Sequence, residues 1–416
     1  MKKKIICVLA LLMAAGIVYA DGNNKDQGYI YGEITVKNGD TYQGPIRWGK
    51  EEAFWHDMFN STKDDNEYAD LIPDKDLREL KERRDDDEGG FGNFIRELFG
   101  RSRGYSNVTT THQFVCRFGD IKSMKMWGSD TVLLTFKNGD KTEVTGGSND
   151  IDTKIQIIDQ KAGKRTLEWE NIRKIEFMPV PRALDQTFGE PLYGTVKTDS
   201  GNFKGFIQWD HEECLSTDEL DGDYKNRDMS IRFGEIKAIE KQRRGSLVTL
   251  YSGKDYYLTG SNDVNDDNRG IIINDLQVGK VLVDWDEFIG VEFEKTPGTT
   301  IPGYNDFIES KTLSGTVETK DGKTFSGRMV YDIDEALDFE LISGEHENIQ
   351  YNLPIRNIAV IEPLRRCCSR ITLKNGQSLE LEDSRDVDKD NAGLLVWEED
   401  EPVYIPWRKV EKIKFN

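Results

Sequence analysis

Tyr193-Gly194-Thr195-Val196, with Gly201, Gly205 and Trp209 behind it, is the middle one of three writings of a single phrase. Upstream it stands as Tyr31-Gly32-Glu33-Ile34-Thr35-Val36 with Gly39, Gly44 and Trp48. Downstream it stands as Ser314-Gly315-Thr316-Val317 with Gly322, Gly327 and Tyr331. Each writing closes on one cadence: Trp169-x-x-Ile172-x-x-Ile175-x-Phe177, Trp285-x-x-Phe288-x-x-Val291-x-Phe293, Trp407-x-x-Val410-x-x-Ile413-x-Phe415. Self-similarity at a fixed period decides architecture ahead of any local reading. The chain therefore divides into copies at residues 28–178, 191–295 and 312–416. Proline and glycine fill the joints, from Met178-Pro179-Val180-Pro181 to Pro191 and from Thr296-Pro297-Gly298 to Pro302-Gly303, where they stop strand pairing from running on. Each copy is long enough to bury a core of its own. What all copies share is expected to serve the fold, and what one copy owns is the better place for a specific role.

Within a copy the apolar residues alternate. Thr195-Val196-Lys197-Thr198, Glu380-Leu381-Glu382 and Arg173-Lys174-Ile175-Glu176-Phe177 each carry one apolar and one polar side, as strands of antiparallel sheets do. Lys37-Asn38-Gly39-Asp40, Lys137-Asn138-Gly139-Asp140 and Lys374-Asn375-Gly376 predict hairpins with two-residue type I′ turns. The three-residue step of the closing cadence predicts a 3₁₀ turn leading into a last strand. Phrases at Phe118-Gly119-Asp120-Ile121, Phe233-Gly234-Glu235-Ile236 and Leu353-Pro354-Ile355 divide each copy into halves of about five short strands. Such a half resembles an SH3-like or Sm-like small barrel. The expected fold is thus all-β: three tandem repeats, each of two SH3-like five-stranded barrels, with a helical insertion in the first. The resemblance is one of fold and implies no binding residues.

Lys2 to Lys4, the apolar run Ile5 to Val18 and the small residue Ala20 have the order of a secretory signal peptide over residues 1–20. The mature chain is then periplasmic or extracellular, with no membrane span. Loss of the three signal lysines takes the formal charge from −20 to −23. So negative a surface repels phosphate backbones, which argues against nucleic acid as a partner. Cys116, Cys214, Cys367 and Cys368 do not recur between copies, so no disulfide framework is expected, although vicinal Cys367-Cys368 leaves a strained disulfide open.

Two features carry functional candidates. The first copy alone has an insertion, about residues 57–112, with a helix expected over Lys75 to Arg84. Beyond it Phe91, Phe94, Ile95, Leu98 and Phe99 fall on one helical face with Arg96 beside them. That stripe either docks on its own sheets or binds a protein or glycan partner of the cell envelope. The second feature is an acidic loop. Asp263, Asn265 and Asp267, and again Asp386, Asp388 and Asp390, place oxygen ligands at alternating positions, as calcium sites do. Asx turns write the same letters without a metal. Asp210-His211-Glu212-Glu213-Cys214 is a loose metal spacing or a solvated acidic turn. No nucleophile elbow or phosphate loop is present.

The reading that follows is an exported, non-catalytic β-repeat protein, a scaffold or partner-binding module of the cell envelope, which takes no cofactor unless calcium. It expects Trp55, Tyr256, Tyr257 and Tyr404 to gather on one exposed face. Two readings stand beside it: calcium-dependent adhesion or glycan binding, and a hydrolase with an acid-lined pocket near the insertion.

Overall fold

The structure, a computed structural model, describes residues 27–63, 68–76, 112–128, 130–146, 150–181, 184–296, 301–364 and 367–416. The signal-peptide residues and the stripe from Phe91 to Phe99 lie outside them. No helix among the described residues is long and apolar enough to cross a membrane. The protein is all-β, in antiparallel sheets that do not close on themselves.

The first copy holds β1 (Tyr31–Val36), β2 (Thr41–Trp48), β3 (Met58–Lys63), β4 (His112–Arg117), β5 (Ile121–Trp127), β6 (Thr131–Phe136), β7 (Lys141–Thr145), β8 (Ile155–Asp159), β9 (Gly163–Leu167) and β10 (Ile172–Phe177). The second holds β11 (Tyr193–Thr198), β12 (Gly201–Trp209), β13 (Glu219–Asp223), β14 (Asp228–Arg232), β15 (Ile236–Gln242), β16 (Gly245–Leu250), β17 (Asp255–Leu258), β18 (Ile271–Asp275), β19 (Gly279–Val283) and β20 (Phe288–Phe293). The third holds β21 (Ser314–Thr319), β22 (Thr324–Tyr331), β23 (Leu341–His346), β24 (Ile349–Pro354), β25 (Ile358–Pro363), β26 (Cys368–Leu373), β27 (Ser378–Glu382), β28 (Leu394–Trp397), β29 (Pro402–Ile405) and β30 (Val410–Phe415).

Pairing in the first copy runs β4-β3-β7-β6-β5-β10-β1-β2-β8-β9. The other two copies pair in the corresponding order, except that β13 meets the end of β17 only through the isolated bridge Asp223↔Thr259. This order corrects the expected division into consecutive halves. β3 to β7 form a contiguous block, and it is nested between β2 and β8 of a second block made of β1, β2, β8, β9 and β10. The phrase at Phe118 is the 3₁₀ turn between β4 and β5 inside the nested block, not a border between halves.

The repeated glycines of the opening phrase have a steric cause. A Cβ on Gly32 would sit 2.5 Å from the Glu176 carbonyl oxygen, and one on Gly205 would sit 2.6 Å from that of Asn274. The backbones of neighbouring strands approach too closely there for any side chain. The hairpins need a second correction. Gly39, Gly139 and Gly376 have φ near +90°, but the asparagines before them do not have positive φ. Gly39 N–H donates to the Val36 carbonyl (3.0 Å), and Val36 N–H to that of Asp40 (3.0 Å). This is a type I turn closed by a glycine bulge rather than a type I′ turn. Positive φ at both central residues occurs instead at Lys225-Asn226 and Glu347-Asn348, the tips of the β13–β14 and β23–β24 hairpins.

The closing cadence behaves as read in the first and third copies, while in the second residues 285–287 form a turn that is not 3₁₀. Trp169–Asn171 and Trp407–Lys409 are 3₁₀ turns before the last strands, and all three cadence tryptophans are buried. Trp285 stacks on Phe288 and meets Trp209 edge-on.

The copies are fastened to one another. β19 of the second pairs with β24 of the third, Val281 opposite Tyr351, and the two apolar cores are one cluster. The joint between them does not merely separate. It sends Tyr304 and Phe307 into the core of the first copy, where the Tyr304 hydroxyl donates to the Ile121 carbonyl (3.0 Å). The expected insertion is shorter than read, because β3 extends to Lys63 and β4 starts at His112. Residues 74–76 are helical, and the rest of the expected helix lies outside the described residues. Its opening stretch docks on the third copy, not on its own: Ile72 is buried against Val330, Ile333, Ala392 and Leu395.

Candidate acidic site

Each copy builds the same loop after its second strand. Trp48 and Glu52 exchange both backbone hydrogen bonds, at 2.7 and 3.2 Å. Trp209 with Glu213 and Tyr331 with Glu335 do likewise. The exchange folds four residues into a tight turn and returns a glutamate to a place opposite the aromatic. Sharp turning is visible at Asp210-His211 and Asp332-Ile333, which are all at positive φ. For a β-branched residue such as Ile333 that conformation is an outlier, held by the surrounding bonds.

The aromatic then recruits an aspartate. Trp48 Nε1 donates to the Asp150 carbonyl (2.7 Å), Trp209 Nε1 to that of Asp263 (2.9 Å), and the Tyr331 hydroxyl to that of Asp386 (2.5 Å). The aspartate carboxylates accept backbone N–H groups from the third strand of the copy. Asp221 donates to Asp263 and Ser343 to Asp386, each at 2.7 Å, while Asn60 donates to Asp150 with both its backbone N–H and its side-chain amide. A glutamate and an aspartate thus come together beneath the loop in every copy. Glu52, Glu213 and Glu335 each hold an Oε2 out of solvent without a hydrogen-bond partner.

Burial, followed by the neighbouring acids, raises these carboxyls. Glu52 and Glu335 stand well above the ordinary carboxylate range, and Glu213 is pushed up to about 8. Asp150, Asp263 and Asp386 rise to about 6 through burial, against the pull of the amides that donate to them.

The copies differ in what balances the charge. In the second, buried Asp210 accepts from the Arg269 backbone N–H (2.6 Å) and pairs with its guanidinium, which also reaches Glu212 at 3.0 Å. In the third, Asp332 pairs with Arg385 at 2.9 Å. The first has Gly49 at that place, and Lys154, which follows its aspartate, pairs with Glu168 instead. A third acid, Glu51, joins there. Ligand oxygens of Glu51, Glu52 and Asp150 all lie within 4.8 Å of one another. Burial and Asp150 lift Glu51 to about 7. Lys280, reaching over from β19 of the second copy, lies within electrostatic range of Glu52 and Asp150 and is itself lowered by burial. The Gln208 side-chain amide donates to the Glu51 carbonyl (3.3 Å) across the same seam.

The sequence candidates fall as follows. Asp263 and Asp386 are in this arrangement, as acceptors from backbone amides. Asn265 and Asp388 accept from the backbone N–H two residues on, of Asp267 (2.9 Å) and Asp390 (2.8 Å), and Asp390 pairs with Lys389. These are the bonds of Asx turns. The stripe Phe91, Phe94, Ile95, Leu98 and Phe99 with Arg96 lies outside the described residues. The aromatic face does not form, since Trp55 is wholly buried and Tyr404 donates to the Ala392 carbonyl (2.7 Å), which leaves Tyr257 exposed. The thiols of Cys367 and Cys368 are free, with sulfurs 3.3 Å apart. A pocket of about 730 Å³ lies beside the joint, but its charged lining is mostly basic, Lys122, Lys137 and Lys311 against the one acid Glu309. Glu51 and Glu52 were not among the sequence candidates, and Asp150 stands in the sequence only as the first-copy counterpart of Asp263 and Asp386; the signal that finds Glu52 is a glutamate four residues after each second-strand aromatic.

Comparison of the chain with family models, with curated proteins and with solved structures gave no significant match in any of the three.

Proposed function

We propose that the protein is an exported, non-catalytic scaffold of the cell envelope that presents a partner-binding segment from a body of three repeated β units. Each unit is read as two SH3-like five-stranded sheets, one nested in the other, and the recurring pairing order supports that reading. One observation carries the functional part. The first copy reaches both others through Arg47, Lys63 and Asp120, and it alone sends a long excursion out between β3 and β4. That excursion leaves along the third copy, with Ile72 buried there and Asp76 3.7 Å from Arg408. A rigid body with one distinctive segment suits display of that segment to another protein.

The test replaces residues 77–107 of the exported protein with a short Gly-Ser linker and spares Ile72 and Asp76. Melting should stay within about a degree or two of the parent, because no described core residue is removed. Cross-linking in intact cell envelopes should lose the partner bands that the parent gives. Unchanged bands, or collapse of the fold, would defeat the proposal.

A further inference from the structure

Two facts single out the first-copy acids. Oxygens of Glu51, Glu52 and Asp150 all lie within 4.8 Å of one another, and Glu52 is only 6% exposed with no hydrogen-bond partner at Oε2, in a loop that lacks the Asp210–Arg269 and Asp332–Arg385 pairs of the other copies. An orphaned carboxylate oxygen so deeply buried costs free energy unless something positive meets it. We propose that Glu51, Glu52 and Asp150 bind a hard divalent cation of the calcium class, a site that stands apart from the scaffold reading and from the loops at 263–267 and 386–390.

The donor set is all oxygen, which suits a hard cation and not a soft one. The neighbourhood is net acidic, which suits a divalent ion: with Glu212 and Asp57 alongside the three ligands, carboxylates outnumber the cations Lys280, Lys50 and Arg269. Asp150 takes both Asn60 donors on Oδ2, so the ligand it offers is its other oxygen, Oδ1. Glu51 is the most exposed of the three and opens the site to solvent, while Glu52 and Asp150 form its floor. In the second and third copies a guanidinium is already paired with acids of the turn, Arg269 with Asp210 and Glu212 and Arg385 with Asp332, so one ion per chain is expected. Its place matters, because the loop that would hold it meets Gln208 and Lys280 of the second copy. A bound ion would thus tie two copies together.

Terbium, with calcium as competitor, is the probe, and Trp48 is the antenna, since its indole donates to the backbone of a ligand residue. The full mature chain should show tryptophan-sensitised terbium emission that saturates at a single ion and is displaced by calcium. Glu52→Gln keeps the shape and should abolish the emission with circular dichroism unchanged. Should that variant fail to fold, Glu51→Gln, at the exposed edge, is expected to weaken binding roughly tenfold or more. Lys280→Met should tighten it. Equal emission from the parent and a folded glutamine variant would place the ion elsewhere on this acidic chain and overturn the proposal. So would the absence of emission from the parent together with a Glu52→Gln variant that melts higher, which is the signature of acids sharing a proton.

Discussion

Glu213 shows what a buried acid does to the pH response of the whole chain. Its folded value of about 8 lies above the ordinary 4.5, because burial first and Asp263 next disfavour the charge. Asp57, raised by burial to about 7 although the Ala53 and Phe54 amides donate to it, acts in the same direction. Such groups bind protons more tightly folded than unfolded. Their contribution is whole below the unfolded values near 4 and is lost as pH rises through the folded ones. The melting temperature measured without divalent ions should therefore fall between about pH 5 and pH 8. Self-repulsion of the acidic surface works in the same direction, so Glu213→Gln is needed to isolate the residue, and it should flatten part of the fall. A melting temperature that rises with pH, or a variant as steep as the parent, would refute the assignment. At this scale the sequence was half legible. Asp263 and Asp386 could be singled out from their spacing, and Glu213 only within the loose run from Asp210 to Cys214, but nothing in the chain joined Glu213 or Glu335 to its aspartate. In the chain the glutamates sit among polar neighbours like any solvated turn, and only the backbone exchange with Trp209 or Tyr331 turns them inward.

Strands and turns were legible where chemistry is local and obscure where order is not. Alternation marked the strands, and Asn-Gly marked the hairpin tips, although the glycine bulge replaces the type I′ turn because only the glycine has to accept positive φ. The nesting of β3 to β7 between β2 and β8 leaves no mark in the letters, since a strand pairs through backbone groups that every residue carries. The β19–β24 ladder was hidden for the same reason, and it has a consequence for dissection. A fragment of residues 190–295 leaves an edge at Lys280, Val281 and Leu282 and strips one side from the shared core. A fragment of residues 190–416 keeps both. Urea unfolding should give the longer fragment one cooperative transition at a higher midpoint, while the shorter one should be less stable or prone to strand-edge association. Equal midpoints would show that the ladder and the joined core add nothing, and that the proline joints isolate the second copy after all.

Across the whole molecule, the charges that hold the copies together follow one rule. In each copy an acid just past the site loop accepts two backbone amides: Asp57 for Ala53 and Phe54, Asp218 for Cys214 and Leu215, Glu340 for Ala336 and Leu337. The first copy supplies the cations for the other two. Arg47 forms a two-point bond with Asp218 at 2.8 and 2.9 Å, and Lys63 pairs with Glu340. Both partners of the Arg47 pair are largely buried, with side chains 14% and 10% exposed, so solvent screens the pair little. Removing the cation leaves a buried carboxylate with two amide donors and no charge partner. Arg47→Met should accordingly cost about 3–5 kcal/mol, well above an exposed pair. Adding Asp218→Asn should restore much of the loss, because the amide oxygen still accepts from Cys214 and Leu215 and no charge remains buried. Denaturant unfolding of the parent, both single variants and the double one closes the cycle. The single arginine variant should also separate the unfolding of the first copy from that of the other two, turning one transition into two. A loss below about 1 kcal/mol, the level of a surface pair, would mean that the first copy is held by Tyr304, Phe307 and Phe339 in its core and not by the charges it extends to its neighbours.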